Sequence, residues 1–143
     1  DMLRARYGLV VTLAACAGGG STPRPDPDAA ASPASLAGTR WRLEDLAGKG
    51  VVDRAQATLE FTGDGMVSGH GSCNQFRGPV TLAGDSIGFG PLVSTRKFCG
   101  EEVTGQENEY LAALNASVRY EVRDSLLYIH ADGRTEPLRF VRE

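Results

Sequence analysis

Val118-Arg119-Tyr120-Glu121-Val122-Arg123-Asp124-Ser125-Leu126-Leu127-Tyr128-Ile129 is the stretch whose reading decides the fold. Apolar residues at 118, 120 and 122 alternate with charged ones at 119, 121 and 123. That period of two belongs to a strand with one buried face. Asp124-Ser125 then turns the chain into a second apolar run, and Asp132-Gly133 turns it again toward Leu138 and Phe140. The last three strands therefore read as an antiparallel meander.

Upstream the pattern repeats. Trp41 and Leu43 alternate with Arg40, Arg42 and Glu44, and Leu59 and Phe61 alternate with Thr58, Glu60 and Thr62. Gly63-Asp64-Gly65 forms a turn into Met66-Val67-Ser68. Val80 and Leu82, then Ile87 and Phe89, then Leu92 and Val93 are further strand candidates. One segment departs from this. Between Glu101 and Ala116, Val103, Tyr110, Leu111 and Leu114 recur at helical spacing. Glu101 and Glu102 suit the positive end of a helix dipole, while Gly105 weakens the first turn, so the stable part is expected to start after it. A tally of roughly seven or eight strands and one helix predicts a mainly β (α+β) fold: a small antiparallel β-barrel or strongly curved sheet, with the helix covering an open end or face. Trp41, Phe61, Phe76, Phe89, Tyr110 and Phe140 read either as a packed core or as the lining of an apolar cavity.

The 143 residues carry a net charge of −3 and are 41% apolar, enough for one modest globular core. Lys and Arg are scattered among acids, so nothing points to nucleic acid. No stretch reaches the roughly 18–20 apolar residues of a membrane span. Residues 1–16 read as a signal peptide: basic Arg4 and Arg6, the apolar run Leu9 to Ala15, then Cys16. Leu13-Ala14-Ala15-Cys16 resembles a bacterial lipobox, which makes Cys16 the lipidation site and the membrane a partner through that anchor. Ala17 stands where an aspartate would favour the inner membrane, so the expected location is the outer membrane, facing the periplasm. Residues 17–37, rich in Pro, Gly, Ala and Ser, read as a solvated tether, and residues 38–143 as the folded domain.

An oxidising compartment changes how Cys73 and Cys99 are read. Two thiols left there after lipidation are expected to pair as a disulfide. Three rival readings use the same residues. A redox-active pair would call for close Cys-x-x-Cys spacing. A zinc site would take His70, Cys73, Cys99 and His130. A cysteine nucleophile would use Cys73 with His70 or His130 and an Asn. No metal, cofactor or catalytic set is expected, because the disulfide uses up the only reactive thiols and no other catalytic motif stands out.

With the strands in place, Gly69-His70-Gly71-Ser72-Cys73-Asn74-Gln75-Phe76-Arg77-Gly78 resembles the first signature of the META domain (HslJ-like) family. Pro91-Leu92-Val93-Ser94-Thr95-Arg96-Lys97-Phe98-Cys99 resembles its second. Glu109 to Leu114 resembles the family's helix, and Gly38 to Leu43 its opening strand. Ser72 replaces the usual glycine, and Lys97-Phe98 replaces Met-Ala. The resemblance implies a small, partly open, lipocalin-like antiparallel barrel with one helix, the same cysteine pair, and motif positions Gly71, Asn74, Gly78, Thr95 and Arg96. Asn74 reads as a maker of side-chain to backbone turn bonds, and Arg96 as pairing with a carboxylate or lining an opening. Family members occur in bacterial envelopes, often as lipoproteins, and are tied to heat shock, antibiotic tolerance and secretion or motility. The expected function is a non-catalytic envelope lipoprotein binding a hydrophobic small molecule, a lipid or a protein partner. The alternative is a structural module serving secretion or outer-membrane assembly.

Overall fold

The computed structural model describes Gly19, residues 36–53 and residues 55–143. The readings of Cys16, of the signal peptide and of the tether beyond Gly19 fall outside these residues. Among the described residues the elements run β1 Arg40–Asp45, β2 Thr58–Phe61, β3 Met66–His70, β4 Gln75–Ala83, β5 Ser86–Phe89 and β6 Val93–Ser94. Then come helix α1 Glu101–Asn115, β7 Ser117–Arg123, β8 Leu126–Ala131 and β9 Leu138–Arg142.

The alternation of apolar and polar residues is what closes the sheet, because each strand has one face to bury. The strand order is β3-β2-β1-β9-β8-β7-β5-β4-β6, and β3 also pairs with β4. Eight strands therefore form a closed ring, and β6 adds a short further pairing to β4 on the edge that β5 uses. Of the two readings, barrel or curved sheet, the barrel is present, and it is closed where the family resemblance implied a partly open one. Its thinnest seam is between β5 and β7, which share the single pair Ser86↔Arg119. The meander β7-β8-β9 is antiparallel throughout.

β6 is the continuation of β5 along β4. Val80 pairs with Phe89, and Arg77 with Val93, so the register slips by one residue across Gly90-Pro91-Leu92. Proline has no N–H to give a ladder, and it sits at the break. Gly78 makes this possible: a Cβ there would meet the Pro91 carbonyl oxygen at 2.7 Å and Leu92 Cδ2 at 2.8 Å.

The interior is filled. Trp41, Leu59, Phe61, Tyr110, Tyr120, Leu127, Ile129 and Phe140 are at most 2% exposed. The Phe76 and Tyr110 rings meet edge to face with centroids 5.9 Å apart. Trp41 Nε1 donates to Thr39 Oγ1 at 2.7 Å, and the Tyr110 hydroxyl to the Thr58 carbonyl at 3.0 Å, so both polar tips are satisfied inside. Phe89 is only half-buried.

Two local expectations are corrected. The helix starts at Glu101, before Gly105, because Gly100 takes the positive φ of 92° and the Thr104 N–H bonds the Gly100 carbonyl at 3.0 Å. Val118 is 53% exposed, out of step with Tyr120, because a bulge shifts the β7 register between Ser117 and Arg119.

Candidate functional site

The motif residues gather where the β3–β4 turn meets the start of α1. Cys73 and Cys99 are joined in a disulfide with Cα atoms 5.9 Å apart. Beside it Asn74, 4% exposed, is bonded on every side. Its Nδ2 donates to the Lys97 carbonyl at 3.1 Å and to Glu107 Oε2 at 2.7 Å. Its Oδ1 accepts from the Thr95 hydroxyl at 2.9 Å and the Lys97 N–H at 2.7 Å. Glu107 Oε1 accepts the Asn74 N–H at 2.6 Å and the Cys73 N–H at 3.2 Å. Asn74 thus bonds a distant segment, where a local turn bond was expected.

Gly71 is small because of Glu107. A Cβ at Gly71 would meet Glu107 Oε1 at 2.6 Å and Cγ at 2.8 Å. Ser72 adopts φ 101°, a conformation favouring glycine, which accounts physically for the family's usual residue there. Its hydroxyl is held by Gln106 Nε2 at 2.8 Å, and Gln106 also donates to the Ala55 carbonyl at 3.2 Å and accepts the Val52 N–H at 2.5 Å. Among the described residues no buried side-chain polar atom lacks a partner.

This cluster is a clamp, and its chemistry is used up in holding three segments together. Cys73 has no free thiol to act as a nucleophile or a ligand. No group of three or more His, Cys, Asp or Glu among the described residues is placed to hold a metal. His130 lies 3.5 Å from Glu121 on the β7–β8 side. Burial pushes the Glu121 carboxyl up, but hydrogen bonds from Arg123 and His130 outweigh it and hold the group below its usual range. Arg96 is exposed, and its side chain has no partner among the described residues.

The open site is on the outside of the barrel. A groove of about 920 Å³ crosses β1 to β4 and ends at β6. Its lining includes Arg40, Thr58, Glu60, Ser68, His70, Gln75, Arg77, Val93 and Thr95. These are the residues that point away from the core on each strand. Thr58, Ser68 and Gly69 are small, while Arg40, Glu60, Gln75 and Arg77 are long, so a low floor lies between taller walls. A smaller cleft of about 380 Å³ lies at the β2–β3 turn, between Ala37, Met66, Val80 and Leu82. Sequence reasoning missed both Glu107 and the groove. Glu107 carried one signal: it lies three residues before Tyr110, in phase with the buried face of the helix.

Comparison with known proteins places this geometry. No curated protein matches the chain. A Burkholderia xenovorans protein solved by NMR is similar in fold, with TM-score 0.65 and 24% identity, covering 99% of each chain. A second protein solved by NMR gives TM-score 0.63 and 24% identity over 77% of this chain and 93% of its own. A DUF4847 family protein from Bacteroides vulgatus ATCC 8482 gives TM-score 0.53 and 14% identity over 74% of this chain and 93% of its own. At these identities the likeness speaks for the fold alone. The META domain profile matches residues 34–143, which contain every element of the barrel and both halves of the clamp, and the chain belongs to the META domain family.

Proposed function

We propose that this chain is a membrane-tethered, non-catalytic binding module of the cell envelope that meets its ligand on the outer face of its barrel. One observation carries the reading: the interior is filled while the exterior groove is open. Aromatic rings at most 2% exposed occupy the space an internal ligand would need, whereas the groove offers about 920 Å³. A hydrophobic small molecule held inside the barrel is therefore set aside in favour of a lipid or a protein met at the surface. The disulfide removes Cys73 and Cys99 from covalent catalysis. Support for the tether comes from Leu13-Ala14-Ala15-Cys16 and the Pro-rich stretch after it. The family's tie to heat shock makes envelope stress the setting.

A second reading, a module serving secretion or outer-membrane assembly, draws on Val93 and Phe98, exposed at 69% and 73% beside the clamp. Photo-crosslinking separates internal from external binding. Benzoylphenylalanine in place of Ser68 should give an envelope adduct, and in place of Val118, on the far side of the ring, should not. Native mass spectrometry showing an apolar molecule carried stoichiometrically, with no adduct from position 68, would sink the outer-face reading. Palmitate labelling lost in Cys16→Ala checks the anchor, and unchanged labelling removes it.

A further inference from the structure

The strand register lays out one row of side chains across the groove. Arg40 pairs with Glu60, Glu60 with Ser68, Ser68 with Arg77, and Arg77 with Val93. All five line the groove. Neighbouring strands lie about 4.8 Å apart, so Glu60 and Arg77 are about 10 Å apart at their backbones, with only the Ser68 hydroxyl between. Arg40 is engaged elsewhere, its Nε lying 3.1 Å from Glu143. The side chains of Glu60 and Arg77 have no partner among the described residues. Elsewhere on the barrel opposite charges do meet: Lys49 with Glu109 at 3.1 Å, Arg123 with Glu121 at 3.0 Å.

A carboxylate and a guanidinium held apart across a small residue select against single charges. An anion on Arg77 would feel Glu60 two strands away, and a cation on Glu60 would feel Arg77. A molecule carrying both charges satisfies both. We infer that this row binds a zwitterion of the phosphoethanolamine type: its ammonium beside Glu60, its short linker over Ser68, its phosphate in the fork of Arg77, and its glycerol or aliphatic end over Val93. The order of groups along the row matches the order along such a molecule. Arg suits the phosphate because its planar donors take two oxygens at once. Val93, 69% exposed, gives the apolar end a surface. His70 and Gln75, paired with each other in the next row, add donors and acceptors alongside.

This inference rests on the outer-face reading and names its ligand chemistry. The test is amide NMR of the full chain titrated with glycerophosphoethanolamine and, in parallel, with glycerophosphate. Saturable shifts at Ser68, Gly69 and Arg77 are expected with the first probe, and binding at least about threefold weaker with the second. Glu60→Gln should weaken only the first probe, while Arg77→Gln should weaken both. Equal affinity for the two probes overturns the inference, as does an absence of shifts, or a Glu60→Gln variant that binds like the parent. Melting temperatures of both variants confirm that they are folded. Sedimentation of the Cys16→Ala protein with vesicles then separates the sources. Binding to phosphatidylethanolamine–phosphatidylcholine vesicles but not to phosphatidylcholine alone assigns a lipid headgroup. Binding of the soluble probe without sedimentation assigns a free zwitterion. A crosslink from position 68 without any shift from glycerophosphoethanolamine leaves the outer-face reading standing and removes this one.

Discussion

At the start of β4, Asn74 makes six hydrogen bonds, counting its backbone N–H to Glu107 and its carbonyl from the Gly71 N–H. Along the same strand, the Arg77 side chain makes none with the described residues. The two positions belong to one motif, yet they do opposite things with their polar groups. Asn74 is buried and its donors and acceptors are all matched internally, as burial demands. Arg77 is exposed and faces a groove with its guanidinium unengaged. The difference separates framework from recognition within a single strand. Residues of the clamp should change stability when altered, and residues of the row should change binding.

Glu107→Ala should give the largest loss. It strips the acceptor from the Asn74 N–H, Asn74 Nδ2 and the Cys73 N–H at once. Leaving buried donors without partners should cost about 3–5 kcal/mol, read as a lowered midpoint in chemical denaturation. A loss below about 1 kcal/mol would mean that the clamp is not framework, and the comparison would break. Gly71→Ala should act through the same contact by pushing on the Glu107 carboxyl, at about 1–3 kcal/mol.

Next comes the disulfide. Cys73 and Cys99 are 26 residues apart in sequence, and closing a loop of that length corresponds to about 3.5 kcal/mol in the chain-entropy account. Replacing both cysteines with Ser should cost about 2–4 kcal/mol. The Asn74 bonds to Thr95 and Lys97 span the same two segments, so the oxidised fold should persist locally after reduction. Hydrogen exchange at the Lys97 N–H checks this: protection retained in the reduced protein keeps the clamp as the primary fastener, and protection lost gives that role to the disulfide.

The barrel was legible because alternation is a strong signal. Trp41 with Leu43, and Leu59 with Phe61, are buried as their spacing predicts. What escaped was the bulge that turns Val118 outward, since an extra residue in a strand leaves the local composition unchanged. The helix was placed by its apolar residues, yet its buried face also carries Gln106 and Glu107. Their polarity made that face look narrower than it is. The groove was illegible for a different reason. Its row draws one residue from each of five strands, so only the register assembles it.

Tyr110 lies between the two regimes, a core residue with one polar atom. Burial pushes its hydroxyl well above the ordinary tyrosine value of about 10. Below that value both folded and unfolded chains keep the proton, and Tyr110 gives no pH dependence. Above it the unfolded chain releases the proton while the folded chain holds it. The native state then binds more protons, and stability falls as pH rises. Tyr120 adds to this through burial and the charge of Asp85. Tyr110→Phe should cost about 1–2 kcal/mol at neutral pH by orphaning the Thr58 carbonyl. The same change should flatten the alkaline decline, and an unchanged slope would exclude Tyr110 as its source.

The smallest stability effect is expected where the proposed recognition is strongest. Glu60→Gln and Arg77→Gln remove charges from exposed strand positions that form no ion pair among the described residues. Each keeps its strand pairing, Glu60 with Ser68 and Arg77 with both Ser68 and Val93. Stability should therefore move by no more than about 0.5 kcal/mol. If either substitution instead cost more than about 1 kcal/mol, the two charges would be supporting the sheet through a long-range attraction. A double-mutant cycle decides between these cases. Additive effects leave Glu60 and Arg77 independent of each other and free to meet a ligand. A coupling of about 1 kcal/mol or more would mean that they already serve one another, and the line between framework and recognition would then have to be redrawn to include them.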